Sequence, residues 1–181
     1  MKTLAVLVIT IVLFAPAQSF AQNVVVSYED LISSLSGYHE TPDADYWNRL
    51  EPGSTKASLL RMVNDERVLT IVRARALTAL AYYGSEDAIN AIKTTATNNP
   101  SAFMRSAAYE ALSMSRTKMA APLIARGLDD ADVMVRLSAV RSLRKIGTDE
   151  AVRALEKRLG AENNSTARSV ISKTLKQMQS R

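Results

Sequence analysis

Small and apolar residues recur along the chain with a period of 31 or 32 positions. The period is marked by the arginines Arg73, Arg105, Arg136 and Arg168, and the residues three and seven positions after each of them are apolar. Positions 0, 3 and 7 share one face of a 3.6-residue helix, so each unit is predicted to begin with an amphipathic helix, here termed the first helix. A period of this length is typical of supersecondary units stacked in a row.

A turn and a second helix are predicted to follow each first helix. Gly84 and Gly147 stand eleven positions after their arginines, where a left-handed residue can end a helix. Ser85 and Thr148 come next, and their hydroxyl oxygens are suited to capping the second helix. Apolar residues then recur 15 and 19 positions after the arginines. Because two short helices cannot bury their apolar faces alone, the pattern predicts helix pairs stacked on a shared core.

The clearest copy of the unit, from Asp129 to Leu159, resembles the short HEAT-like repeats that are named after phycobilisome lyases. The similarity is greatest from Val135 to Gly147, and the resemblance extends over residues 66–179. It implies an all-α fold, a right-handed α-solenoid of about 3.5 clear repeats, because the fourth unit has only its first helix. The second unit departs from the pattern, since Arg116 replaces the glycine of the turn. The predicted array, 66–181, divides into units 66–98, 99–129, 130–161 and 162–181.

The recurrent arginines have two possible roles. They could form a ladder that binds an anion, or each could hold the turn that precedes its own helix. The resemblance implies the structural role for Arg73, Arg105, Arg136 and Arg168, with turn carboxylates pairing with the guanidinium groups between repeats. For Arg136 the neighbouring candidates are Asp129, Asp130 and Asp132.

The first 21 residues have the features of a secretory signal peptide. Lys2 precedes an apolar run of 12 residues, Leu4 to Ala15, and the run is followed by the small-x-small sequence Ser19-Phe20-Ala21. As a helix this run would rise only about 18 Å, whereas a hydrocarbon core is about 30 Å thick. We expect cleavage after Ala21 and a periplasmic or secreted product, with no later segment that spans a membrane.

Residues 22–65 differ in character and are predicted to form an N-terminal helical cap. Residues 27–30 have the form of a capping box before a short helix, and a second helix is expected over residues 54–64. Between them lies an acidic and aromatic loop that includes Tyr46 and Trp47. The segment is interpreted as a degenerate first repeat, because the end units of an array must present a polar outer face.

Charge is distributed unevenly between the cap and the array. Residues 22–66 contain 3 basic and 8 acidic side chains, whereas residues 67–181 contain 19 basic and 10 acidic ones. The net charge of +5 therefore combines an acidic cap with a strongly basic array. Such asymmetry can steer an anionic partner to the array or favour head-to-tail association of chains.

The repeat alignment places the cations of the array in two rows. Five and eight positions after the arginines, the last two units carry a basic patch that we expect on the convex side of the first helices: Arg141, Arg144, Lys173 and Lys176. A second-helix row is expected on the concave side, where related solenoids bind their partners, and consists of Asn90, Thr94, Arg126, Arg153 and Lys157. Concavity favours the second-helix row as the recognition surface.

Residues suited to catalysis are scarce. The chain has no cysteine and a single histidine, His39, and no nucleophile elbow is present. Deoxyhypusine hydroxylases, which share this repeat type, depend on repeated His-Glu pairs, and only His39-Glu40 occurs here. We predict no catalytic residues and no cofactor. A weaker alternative is a metal site, whose ligands would be His39, Glu40, Asp43 and Asp45.

The sequence thus predicts an exported, non-enzymatic scaffold or adaptor that binds another macromolecule, a protein in the first instance. An anionic component of the cell envelope is a second possible partner, and export makes nucleic acid an unsuitable one. Two alternatives stay open at this point, a metal-binding or enzymatic protein that uses the acidic loop and a self-assembling structural protein of the envelope. The pattern leaves the oligomeric state undetermined.

Overall fold

The fold is an all-α solenoid, as the repeat pattern predicts. The computed structural model describes residues 23–37, 42–115 and 119–180, and these contain ten α-helices and a short 3-10 turn. The helices are α1 (Tyr28–Ser36), α2 (Ala44–Arg49), α3 (Pro52–Asn64), α4 (Thr70–Tyr83), α5 (Glu86–Asn98), α6 (Ala102–Met114), α7 (Ala120–Ala125), α8 (Val133–Ile146), α9 (Asp149–Ala161) and α10 (Ser165–Gln179). The 3-10 turn, Arg126–Asp129, directly follows α7. The first helices of the units are α4, α6, α8 and α10, and the second helices are α5, α7 and α9.

The first helices pack more closely on one another than the second helices do. α6 lies in extensive contact with both α4 and α8, whereas α3 touches α5 only slightly. Small residues such as Ala74, Ala107 and Ser138 lie along the first helices, and the Ser138 hydroxyl donates to the carbonyl of Ser106 at 3.0 Å. The first helices therefore form one closely packed layer of the array. The expectation that the second helices line a concave side stays a prediction.

The turns between paired helices follow the predicted glycine pattern. Gly84 and Gly147 adopt left-handed conformations with φ of 58° and 67°, and each ends a first helix. Thr148 caps α9 by accepting from the amide of Ala151. Ser85 differs from the prediction, because it makes no side-chain cap bond. Its hydroxyl instead donates to the carboxylate of Asp87.

The second unit has the most irregular second helix. α7 is only six residues long and passes directly into the 3-10 turn. At Gly127 in this turn the backbone lies against the buried ring of Tyr109, and a β-carbon there would be 2.7 Å from the ring. This close approach lets the turn pack beneath α6 and α8. The predicted irregularity at Arg116 lies outside the described residues.

The cap contains one helix more than the sequence indicates. α1 begins at the predicted capping box, where Ser27 accepts from the amide of Asp30, and α3 begins two residues earlier than expected. The predicted loop, however, contains α2, because Asp43 caps this helix by accepting from the amide of Tyr46 at 2.9 Å. The expected signal peptide, residues 1–21, lies outside the described residues.

One hydrophobic core runs from the cap through all the units. At its N-terminal end Trp47 is buried, stacks on Tyr82 of α4 and donates its indole N–H to the carbonyl of Pro42. The Tyr46 hydroxyl donates to Ser34 of α1. The two aromatic residues thus join α1 and α2 to the first helix of the array. Among the described residues, no helix has the length and apolar content needed to cross a membrane.

Candidate functional site: a groove across the first helices

A groove of about 650 Å³ runs across the first helices α4, α6 and α8. Residues at matching repeat positions line it, so its walls are rows that run from one unit to the next. The repeat arginines serve as the reference, and each row lies at a fixed number of positions from them. The groove therefore arises directly from the stacking of equivalent helices.

One wall of the groove is an exposed apolar row. It consists of Ile71, Phe103 and Met134, each two positions before the arginine of its unit. Their exposed fractions are 45%, 51% and 58%, large values for side chains of this size and hydrophobicity. Leu69, at the start of α4, extends the apolar surface beyond the row and is 70% exposed. Exposed apolar residues that form a continuous row indicate a contact surface.

The floor of the groove is made of small residues. Ala74 on α4, Ser106 and Ala107 on α6, and Ser138 on α8 lie between the walls. Their side chains are short, so a molecule in the groove can approach the helix backbones. The hydrogen bond from Ser138 to Ser106 also fixes the spacing of α6 and α8 beneath the site.

The opposite wall is a polar row of Thr78, Glu110 and Arg141, each five positions after its arginine. At the α8 end, Arg144 and Lys145 continue this wall beside Arg141. Arg144 donates to the side-chain oxygen of Gln177 at 3.1 Å. Within the described part of the chain, these three cations have no carboxylate at ion-pair distance. The lining also contains the acids Glu110 and Asp132, so the three cations outnumber the carboxylates and the α8 end carries a net positive charge.

The predicted basic patch lies partly in recesses of the first-helix face. Arg141 and Arg144, expected on the convex side, line such recesses. Lys173 and Lys176 are exposed on α10, next to this end of the groove but outside its lining.

The second-helix row is divided by the structure. Arg126 and Lys157 line a smaller recess of about 280 Å³ between α7 and α9. Arg153 lies outside this recess and pairs with the exposed Glu150 at 3.4 Å. Asn90 and Thr94 are exposed on α5, and they too are outside the recess. Only two of the five predicted residues therefore share one concavity.

The repeat arginines bond to protein atoms in a regular way. Arg105 donates to the carbonyls of Asn99 and Pro100 in the turn before its own helix, and it also holds both carboxylate oxygens of Asp130 at 2.8 and 2.9 Å. Asp130 lies 25 residues further on, in the next turn. The Arg105 guanidinium thus ties its own turn to that of the following unit.

Arg136 repeats this arrangement with a different acid from those expected. It donates to the carbonyls of Asp130 and Ala131, and two of its nitrogens bind the carboxylate of Glu162 at 2.9 Å. The prediction that Arg136 pairs with Asp129, Asp130 or Asp132 is therefore wrong. Those acids are engaged elsewhere, with Arg158, with Arg105 and at the start of α8 respectively.

Glu162 is the most deeply buried charge of the array, with 1% of its surface exposed. Its carboxylate accepts from Arg136, from Arg158 and from the amide of Asn164. The hydrogen bond from Arg136, with the other donors, lowers the pKa of Glu162 from its ordinary value near 4.5 to about 2. Sequence reasoning missed Arg158, which bridges Glu162 and Asp129.

The terminal members of the arginine series bind carbonyl oxygens. Arg73 donates to the carbonyl of Val63 at 2.9 Å, and Arg168 donates to that of Glu162 at 3.0 Å. Arg105 and Arg136 use their guanidinium groups on protein acceptors, so these two are not available as an anion ladder. The arrangement is the one that a structural role requires.

The predicted metal ligands are only partly described. His39 and Glu40 lie outside the described residues, Asp43 caps α2, and Asp45 is exposed in the first turn of that helix. The described residues contain no group of three or more acidic or histidine side chains placed to hold a metal ion. The structure therefore gives no geometry on which a metal site in this loop can be based.

Comparison with known proteins identifies the repeat type. The family model described as HEAT repeats matches residues 57–132 and 114–176. No protein of curated function matches the sequence. The sequence does carry a signal for the apolar row, because apolar residues recur two positions before three of the arginines, but the recurrence does not show that these side chains are exposed.

Two solved structures share the fold at low sequence identity. Human deoxyhypusine hydroxylase in complex with glycerol is 23% identical with a TM-score of 0.57, and the match covers 70% of this chain and 44% of the hydroxylase. The complex of CpcE and CpcF of phycocyanin lyase from Nostoc sp. PCC7120 is 14% identical with a TM-score of 0.53, and the match covers 81% of this chain and 98% of the other. The present chain thus spans less than half of the hydroxylase, and similarity at these identities concerns the fold alone.

Proposed function

The chain belongs to the family of HEAT-repeat proteins, and from this premise we propose that it is an adaptor that binds a protein partner in the groove of its first helices. Stacked helix pairs present extended concave surfaces, and surfaces of this kind serve recognition. The relatives of known structure include the complex of CpcE and CpcF, so chains of this fold do occur in a protein assembly. The proposal includes no reaction and no cofactor.

The observation that carries the proposal is the exposed apolar row of Ile71, Phe103 and Met134. Solvation of three large apolar side chains is unfavourable, and an isolated monomer gains nothing from placing them at equivalent positions of successive units. Covering them with a protein would remove this apolar surface from water. The small residues of the floor would let the partner come close enough to do so.

Partner capture with matched variants tests this function. We expect the double variant Phe103→Glu and Met134→Glu to weaken binding of the native partner at least tenfold, because buried aromatic and apolar anchors dominate interface energies. Val25→Glu is the control, since Val25 is 71% exposed and lies in the cap, away from the groove. Circular dichroism and thermal unfolding of all variants would show whether each still folds.

The second-helix row is the alternative binding surface to the groove. Reversal of charge at Arg126, Arg153 and Lys157 should leave the captured partner bound, because this row lies on the opposite side of the helix pairs from the groove. If the charge reversal removes the partner and the groove variant retains it, the binding face is the second-helix row. If both variants bind the partner as the unmodified chain does, neither face is the binding surface and the proposed groove binding is wrong.

We also propose that the adaptor acts in the periplasm or outside the cell. Support comes from the apolar run of residues 4–15 and the small-x-small sequence that ends at Ala21, a combination typical of cleaved export signals. The exposed cations at the α8 end would suit an anionic group of an envelope partner. The charge contrast between cap and array supports a second candidate, self-assembly of the chain. Sedimentation at two salt concentrations distinguishes it from binding a different protein, because self-association through opposite charges weakens with salt.

A further inference from the structure

The dimensions of the groove match one kind of protein segment. Resting on the proposed adaptor function, we propose that the groove binds an amphipathic α-helix of the partner, at least about 14 residues long. This helix carries one apolar anchor in every seven residues, and acidic side chains at the end that lies over α8. Width, repeat spacing, floor and charge each point to this occupant.

The two rows are separated along each first helix by about the diameter of an α-helix. On each first helix, the apolar row stands two positions before the arginine and the polar row five positions after it. A separation of seven residues along an α-helix is about 10.5 Å, and an α-helix with its side chains is about 10–12 Å across. A helix laid across α4, α6 and α8 therefore contacts both rows at once.

The spacing of the apolar row along the groove favours a partner helix with one apolar anchor in every seven residues. Packed helices lie about 8–10 Å apart, so Ile71, Phe103 and Met134 follow one another at roughly this interval. Seven residues of a partner helix rise about 10.5 Å, and residues seven apart lie close to the same face. Three anchors then span about 20 Å, which a helix covers in about 14 residues.

Extended segments fit these features less well. In a β-strand, residues three apart rise about 10 Å but point to opposite faces, so they cannot anchor on one row. A polyproline helix does place residues three apart on one face at about 9.3 Å. Its recognition, however, uses grooves lined by aromatic residues, and Phe103 stands here between Ile71 and Met134. Aliphatic and methionine side chains are typical of grooves that accept a helix.

Charge determines what lies over each end of the groove. At the α4 end the guanidinium of Arg75 is engaged, because it donates to the carbonyls of Leu35 and Gly37 at 2.6 and 2.8 Å. At the α8 end Arg141, Arg144 and Lys145 are exposed and have no carboxylate at ion-pair distance among the described residues. They outnumber the two acids of the lining there, Glu110 and Asp132, so the net charge is positive. Acidic side chains of the bound helix pair with this end. The acidic end of the bound helix therefore lies over α8, which defines the orientation of the helix in the groove.

Selection from a displayed library of random 20-residue peptides tests the inference without knowledge of the partner. The purified chain is the target, Phe103→Glu with Met134→Glu is the negative target, and Val25→Glu is the matched control. We expect enriched peptides to carry apolar residues seven apart with acidic residues near one end, and to bind the negative target at least tenfold more weakly. Peptides selected on Arg141→Glu with Arg144→Glu should lose the acidic residues.

Synthetic copies of the enriched peptides provide the conformational readout. Their circular dichroism should gain helical signal on binding, and a proline in the middle of the peptide should reduce affinity at least tenfold, since it breaks the helix. Enrichment of proline-rich sequences with anchors three apart, or no helical gain, overturns the helix inference and leaves the adaptor function standing. Enrichment that is equal on the chain and on the negative target overturns the groove as a helix site. The proposed binding of the native partner in the groove fails separately, when capture of that partner is unaffected by the groove variants.

Discussion

Single residues connect the units of this array through charge as well as through apolar packing. Arg105 and Arg136 each bind their own turn and an acid of the next turn, so one side chain joins two consecutive units. Such pairs add little stability compared with well-packed apolar residues, but removal of one partner leaves a buried charge without compensation. Glu162 is the clearest case, because it serves two arginines at once.

Glu162→Gln should lower the free energy of unfolding by about 3 kcal/mol at neutral pH, since Arg136 and Arg158 lose their shared carboxylate. The pKa of Glu162 is lower in the folded chain than its ordinary value, at about 2 against 4.5, so its contribution is complete above about pH 4.5 and is lost as the pH falls toward 2. The difference between variant and unmodified chain should therefore shrink over this window. Urea unfolding at a series of pH values measures it.

The matched control for this residue is Glu150→Gln. Glu150 also pairs with an arginine, Arg153, but both side chains are more than 60% exposed. Exposed pairs contribute about 0–1 kcal/mol, so the control should differ little from the unmodified chain. Equal destabilisation by the two substitutions would show that burial of Glu162 has no energetic consequence.

At the scale of helices and turns, the close approach of backbone segments decides which glycines are required. Gly84 and Gly147 have left-handed conformations that the repeat pattern indicates from their position alone. Gly127 has an ordinary φ, and its requirement comes from Tyr109, a residue 18 positions earlier, packed against it. No local pattern indicates that contact, because it depends on how α6 lies over the 3-10 turn.

Gly127→Ala is expected to destabilise the fold by about 1–3 kcal/mol, because its β-carbon would meet the Tyr109 ring at 2.7 Å and the side chain of Ala139 at 3.0 Å. Gly160→Ala is the matched control. Gly160 lies near the end of α9 with no atom within 4 Å of an added β-carbon, so alanine should be neutral or stabilising by up to about 1 kcal/mol. Thermal unfolding of both variants compares them, and a Gly127 variant as stable as the control would contradict the packing described for this turn.

For the whole molecule, the acidic cap and the basic array are joined by one continuous core. The cap attaches to the first unit through the stacking of Trp47 on Tyr82 and the contact of α1 with α4, and the groove begins on α4. The predicted signal peptide precedes all of these elements in the chain. It therefore affects where the groove acts rather than how it is built.

The native protein should begin at Gln22, because cleavage after Ala21 removes the apolar run and leaves the described helices intact. Mass spectrometry of the protein purified from envelope and medium fractions measures this directly. Substitution of Ala21 by a bulky residue such as Phe is the companion variant and should retain the first 21 residues. Recovery of an uncleaved, unsubstituted chain from the cytoplasm alone would contradict the export proposal.

The sequence by itself determined the helices of the array, their pairing and the left-handed glycine turns, since these depend on residues within about a dozen positions of one another. It also marked Arg73, Arg105, Arg136 and Arg168 as equivalent. Only the tertiary structure decided that Ile71, Phe103 and Met134 are exposed along one groove, and that Asp130 and Glu162 are the acids held by Arg105 and Arg136. The physical reason is that side-chain exposure and charge pairing depend on contacts between segments about 30 residues apart, where the size of packed side chains, not the local repeat, determines the distances.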